Sequence, residues 1–244
     1  LTFKSKVMYN VTLNEIAYSI FESVRGKLSD DDNIAIEQIK DMVHNTRAKL
    51  LKQKFDKNLR VIDDGYTQSL GAIEVELVDS SIHTTLLSDK HVLRTTVDIP
   101  ETIDRRNYEG TFTRIGPADR LSHKFNLVSY DRAIYSGNGR FNRNEVYAFL
   151  LDNRVNLIGD GIYYKAIQFI DVVGVFQNPS QVAQFTDISG NSLYSDDARY
   201  PISRAMRDDI EGIIIKDRIA IQSQAPSDVI NDATDTLDAG EIRA

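Results

Sequence analysis

The chain has 244 residues, 41% of them hydrophobic and 27% charged, enough to bury a sizeable core as one large domain or two smaller ones. It contains no cysteine, which excludes disulfides, thiolate zinc sites and cysteine nucleophiles. A formal charge of −7 argues against a broad phosphate-binding surface, and no stretch approaches the ~20 apolar residues of a membrane span.

Residues 1–10 show no clear period. Thr12 and Glu15 then form a T-x-x-E capping box, and Leu13, Ile16, Ala17, Ile20 and Val24 follow at helical spacing until Arg25-Gly26 closes the helix. Ser29-Asp30-Asp31-Asp32 reads as the start of a second helix running to about Lys57. Ile36, Ile39, Met42, Val43, Leu50, Leu51 and Phe55 make its apolar face. Arg47, Lys49, Lys52, Lys54 and Lys57 gather in its second half, where the helix dipole favours cations. The aspartate run lacks the ligand order of a calcium loop.

From Leu59 the period changes to two. Ile73, Val75 and Leu77 alternate with acidic residues as a half-buried strand, and 92–99, 111–115 and 124–128 are further strands. The stretch from Pro100 to Gly110 reads as an exposed loop. Segments 145–151, 154–158 and 162–169 form a predicted meander, with Asp152-Asn153 and Gly159-Asp160-Gly161 as its hairpin turns. A last strand, 170–176, leads to Asn178-Pro179, a cap and a helix opening, anchored by Val182, Ala183 and Phe185. Residues 186–199 read as loop. Pro201 then marks the start of an amphipathic helix to about Asp217, with Ile202, Met206, Ile210, Ile213 and Ile214 on one face. From Ala225 the chain is polar and acidic, with too few large apolar residues to fold alone.

The expected class is α+β: a small helical bundle from both chain ends, an inserted antiparallel β-rich module (sandwich or barrel) and an extended acidic C-terminal tail. The expected division is 1–58 for the N-terminal helical part, 59–186 for the β-rich module, 187–224 for the loop and returning helix, and 225–244 for the tail.

No motif nominates a reaction. Ser136-Gly137-Asn138-Gly139-Arg140 lacks the third glycine and following helix of a dinucleotide fingerprint, and reads as a turn. His44, His83, His91 and His123 lack metal-ligand spacing, and no G-x-S-x-G elbow occurs. Tyr163-Tyr164 and Phe169 read as core or interface aromatics, since the basic residues of a base-stacking platform are sparse around them. No catalytic residue, cofactor or metal is expected.

Two stretches in order carry a specific resemblance. Gly174-Val175-Phe176-Gln177-Asn178-Pro179-Ser180-Gln181-Val182 closes the β module, and Tyr200-Pro201-Ile202 opens the last helix, followed by Pro226, Asp228, Asn231 and Asp232. This order resembles neck structural proteins of tailed bacteriophages, in particular ring proteins of the short-tailed crAss-like phages that infect Bacteroides. The resemblance implies a head–tail connector subunit of the virion, assembled in the host cytoplasm as a homo-oligomeric ring of about twelve copies. Its implied partners are the portal protein and neighbouring neck or tail ring proteins, with genomic DNA passing through the lumen and no membrane. Tyr200, Pro201 and Ile202 would fix the start of the last helix at a subunit interface; Pro226, Asp228, Asn231 and Asp232 would mark a docked tail. The residues alone leave other classes open: a monomeric ligand- or carbohydrate-binding β module with helical flanks, and a hydrolase with an unsignalled carboxylate site.

Overall fold

The computed structural model describes residues 10–25, 34–57, 63–79, 91–103, 112–120, 122–133, 135, 145–159 and 162–219. The first helix, α1 (Leu13–Arg25), starts at its capping box. Glu15 N–H donates to Thr12 Oγ1 at 3.1 Å and Thr12 N–H donates to Glu15 Oε2 at 3.2 Å, so each side chain satisfies the other's backbone. Leu13, Ile16, Ala17, Ile20 and Val24 are buried, the stripe read from their spacing.

The second helix, α2 (Ile36–Lys57), starts later than the expected Ser29 cap. The Ala35 carbonyl accepts the first helical bonds, from Gln38 and Ile39, while Ile34 packs on the core ahead of the first turn. Ser29 and the three aspartates lie outside the described residues.

The middle of the chain forms β1 (Gln68–Asp79), β2 (His91–Thr95), β3 (Phe112–Pro117), β4 (Asn126–Leu127), β5 (Tyr147–Leu151), β6 (Arg154–Ile158) and β7 (Phe169–Gly174). They make one sheet in the order β3-β7-β1-β2-β6-β5-β4. Every neighbouring pair is antiparallel except β4 with β5, which is parallel. The two edges of the sheet then meet: Phe125 N–H, just before β4, donates to the Ile115 carbonyl of β3 at 2.8 Å. Of the two expected architectures, the module is thus barrel-like. The β5–β6 turn is the predicted one, with Asp152 and Asn153 at φ 53° and 57°.

Several expectations are corrected. Segment 162–169 is not a third meander strand, because β6 already has β5 on one side and β2 on the other. Instead Ile162–Lys165 forms a helical turn, α4, that directs Tyr164 inward. Its hydroxyl accepts from Leu93 N–H at 2.7 Å and donates to the Leu157 carbonyl at 2.8 Å, and burial pushes its pKa up to about 12. Leu77 is 58% exposed although it shares the parity of Ile73 and Val75; pairing with β7 stops at Glu74, and beyond it Val78, of the opposite parity, is the buried residue. The start of the supposed exposed loop is partly core: Pro100 and Ile103 are buried, and Ile103 N–H donates to Val175. A short helix the spacing did not reveal, α3 (Tyr130–Ala133), covers a second small cluster of Val92, Ala133, Phe149 and Ile158.

After β7, Asn178 caps a 3-10 turn, Pro179–Gln184, by accepting from Ser180 N–H at 3.0 Å. Val182 and Phe185 anchor it while Ala183 is exposed. The last helix, α5 (Arg204–Ile213), is capped by Ser203 and not opened by Pro201. Pro201 instead centres a three-residue turn in which Ile202 N–H donates to the Tyr200 carbonyl at 2.8 Å, a turn suited to the fixed φ of proline. Beyond Ile213 the chain continues as a π-helix, Ile214–Ile219. Through Met206, Ile210 and Ile214 this helix packs against α1 and α2. The class is α+β, with a helical bundle built from both ends of the chain around an inserted barrel-like sheet. The acidic tail lies outside the described residues.

Gly116 sits at the seam that closes the barrel, where an added Cβ would run into the backbone oxygen of His123. Gly116→Ala is expected to lower stability by about 1–3 kcal/mol, read as a lower urea midpoint at unchanged slope.

Candidate functional site

One turn of α2 projects His44 and Arg47 to the same side, toward the place where the helices meet the barrel. Arg47 is a fully buried charge, at 0% exposure, and not one of the solvent-facing cations of the helix end. Its Nε donates to the Pro201 carbonyl at 3.0 Å, Nη1 to the Phe176 carbonyl at 2.9 Å and Nη2 to the Tyr66 carbonyl at 3.4 Å. Its Cζ lies 5.7 Å from the centre of the Tyr200 ring. Burial pulls its pKa below the usual value, opposed by the neighbouring tyrosines Tyr200, Tyr194 and Tyr66. Arginine suits this place because its planar fork spreads donors toward several acceptors at once.

His44 completes the junction. Its Nδ1 meets the Tyr200 hydroxyl at 2.8 Å, and the Ser180 hydroxyl lies 3.5 Å from Nε2. Burial first and the charge of Arg47 second push its pKa down to about 4, so the ring is neutral at neutral pH. Burial raises the Tyr200 phenol above its ordinary range, so it too stays uncharged. The Ser180–His44 distance is long for a nucleophile and its base, and the Ser180 hydroxyl is directed to Asn178 Oδ1.

A polar strap holds the same junction from outside. Lys40 pairs with Asp196 at 2.9 Å, Asn14 Nδ2 donates to Asp197 Oδ1 at 2.6 Å, and Tyr200 N–H donates to the Val11 carbonyl at 2.8 Å. The segment before α5 is thereby tied to the starts of both α1 and α2. The hydrogen bond that Lys40 donates to Asp196 raises the pKa of the lysine.

Of the residues singled out in the sequence, Tyr200, Pro201 and Ile202 come together here, all buried within the chain. Phe176, from the stretch that closes the β module, joins them through Arg47. Pro226, Asp228, Asn231 and Asp232 lie outside the described residues, as do Ser136–Arg140 and His83. Sequence reading missed Arg47, although a signal exists. It stands four residues after Val43 and four before Leu51, inside the apolar stripe, and a charge at such a position calls for buried acceptors.

The arrangement is that of a structural part: a buried cation spends its donors on the main chain of three distant segments, locking a helical bundle to a barrel-like module. Comparison with known proteins agrees. A family model described as phage tail ring protein 2 matches residues 15–238, and the chain belongs to that family. It is 23% identical to Ring protein 2 of Bacteroides phage crAss001 over 240 residues, covering 93% of this chain and 98% of that protein. The chain is thus a structural ring protein of a phage tail, a component of the virion. Among the described residues no helix is long and apolar enough to cross a membrane.

Two measurements test the junction. Arg47→Met is expected to cost about 3 kcal/mol or more in urea unfolding, since three buried carbonyls lose a charged donor, and Arg47→Lys should recover only part of it. Because His44 binds a proton less readily folded than unfolded, its contribution is fully present above pH 6.5 and is lost as pH falls toward 4. Relative to wild type, His44→Asn should flatten that acid-side decline by roughly 1–3 kcal/mol across the window, measured as unfolding free energy at each pH.

Proposed function

We propose that the chain is a subunit of the head–tail connector, forming a closed homo-oligomeric ring of about twelve copies through which genomic DNA passes. The observation that carries this reading is the family match along nearly the whole chain, 15–238, on a fold whose two ends are riveted to one barrel-like module. In this reading the helical bundle faces the portal protein and the barrel-like module contacts neighbouring neck or tail rings. Residues 1–58 and 187–224 make the bundle, 59–186 the module and 225–244 the tail. A net charge of −7 suits a channel that DNA must traverse without adhering. The protein has no catalytic role and takes no cofactor; assembly occurs in the host cytoplasm.

Tyr200, Pro201 and Ile202 serve the subunit interface from inside the chain, by setting where α5 begins and thus which of its outer residues a neighbour meets. Pro226, Asp228, Asn231 and Asp232 belong to a tail that gains order by docking on the portal or on an adjacent subunit, as polar segments do when they fold on binding.

Electron microscopy of virions should show a closed symmetric ring of this chain beneath the portal; density for a single copy, or for an open helical array, would overturn the reading. A chain ending at Gln224 should keep its unfolding midpoint and lose incorporation into particles severalfold, measured by quantitative blotting of purified virions. Full incorporation would remove the tail from the assembly.

A further inference from the structure

The helical bundle carries an open groove that begins where residues 1–9 join it. The groove, of about 780 Å³, runs between α1 and α5. Thr12, Asn14 and Ser19 make it polar, three carboxylates (Glu15, Glu22 and Asp197) and one arginine (Arg207) stand around it, and Tyr18 is its one aromatic. Arg207 is already held by Glu211, Nε to Oε1 at 2.7 Å, while Arg25 reaches Glu22 only at 4.0 Å. The groove is therefore acidic on balance. Tyr18 is 53% exposed in it, on the outer side of a helix whose apolar stripe is buried.

Residues 1–9 have the complementary character. They carry Lys4 and Lys6 with no acidic residue, and five of the nine are large and apolar: Leu1, Phe3, Val7, Met8 and Tyr9. Segments that stay solvated are poor in such side chains, so this one needs a surface. The point of attachment decides which. Tyr200 N–H donates to the Val11 carbonyl at 2.8 Å, and Thr12 bridges Arg199 in antiparallel fashion. The chain is thereby held just ahead of both helices, and Asn10 stands two residues from Thr12, at the end of the groove. From Thr12 to Glu22 a helix rises ~15 Å, and nine extended residues reach ~30 Å, so the groove of the same subunit is well within range. Tethering also raises the effective concentration of the segment at its own groove, which favours it over another chain as the occupant.

We infer that residues 1–9 lie back along the groove between α1 and α5 of their own subunit, with Lys4 and Lys6 against its carboxylates and their apolar neighbours over Tyr18. Strapped in this way, that side of the bundle offers a neighbouring subunit a basic, apolar segment in place of an acidic helix. Zero-length carbodiimide coupling of the wild-type chain, read by mass spectrometry, should join Lys4 or Lys6 to Glu15, Glu22 or Asp197. The pair Lys40 and Asp196, 2.9 Å apart, serves as the internal standard. Coupling at that pair with none from Lys4 or Lys6 to the groove would overturn the inference. Repeated on light and heavy-isotope chains mixed before assembly, the coupling should stay within single chains; light-to-heavy joins in comparable number would put the segment on another copy and overturn it as well. A second measurement is hydroxyl-radical footprinting of the intact chain. Lys4→Glu combined with Lys6→Glu should raise modification of Tyr18 severalfold, and unchanged modification there would overturn the strap.

Discussion

The structure depends on how one guanidinium is satisfied. Taking a charge out of water is expensive, and Arg47 recovers the cost through main-chain carbonyls, not through a carboxylate. The carbonyls of Tyr66, Phe176 and Pro201 lie 19, 129 and 154 residues from it in sequence. Each charged hydrogen bond to such an acceptor is worth about 1.5–3 kcal/mol, and the alternative is a buried cation with nothing to donate to. The chain therefore has to bring the approach to β1, the exit from β7 and the turn before α5 to one side of α2. This requirement explains why the two stretches that carry the family resemblance are where they are. One ends the barrel and the other is the turn that precedes the last helix, and Arg47 binds a carbonyl of each.

Neutral groups fill the rest of the junction for the same reason. A second positive charge beside Arg47 would have no partner, and His44 is held unprotonated by burial and by that neighbour. Its hydrogen bond to Tyr200 then orients the ring that lies against the guanidinium. The strap of Lys40, Asp196, Asn14 and Asp197 adds a solvent-facing layer to the same contact. Together these contacts make the join between bundle and barrel stiff, and for a structural ring subunit stiffness matters more than a cavity. Loads on the helices reach the sheet through hydrogen bonds to backbone, which no single side-chain change on the sheet can remove.

Local chemistry was legible wherever a few adjacent residues decide the outcome. Thr12 and Glu15 satisfy one another's backbone within four residues, Asp152-Asn153 tolerate the positive φ of a tight hairpin, and Asn178-Pro179 supplies an acceptor and a preset φ. Where an outcome depended on a distant neighbour the reading failed. Segment 162–169 alternates well enough for a strand, but its place beside β6 belongs to β2, a strand more than sixty residues earlier in the chain. Ser29 is a good cap in isolation, yet Ile34 finds its apolar contacts before the helix begins. Pro201 is a good helix opener, yet its carbonyl is claimed by Arg47 and its φ by a three-residue turn.

Periodicity and capping are short-range properties, so the residue order alone was sufficient for the amphipathic helices at both ends, the β-rich middle and their α+β combination. Which of the cations on α2 would be buried was not such a property. In the sequence Arg47 reads as one more cation favoured by the helix dipole, and only the packed molecule supplies the three carbonyls that make a charge tolerable there. The closing of the sheet, the inward turn of Tyr164 and the junction itself were likewise decided by contacts between residues far apart in the chain, because satisfying a buried polar group depends on which acceptors arrive beside it and not on which residues precede or follow it.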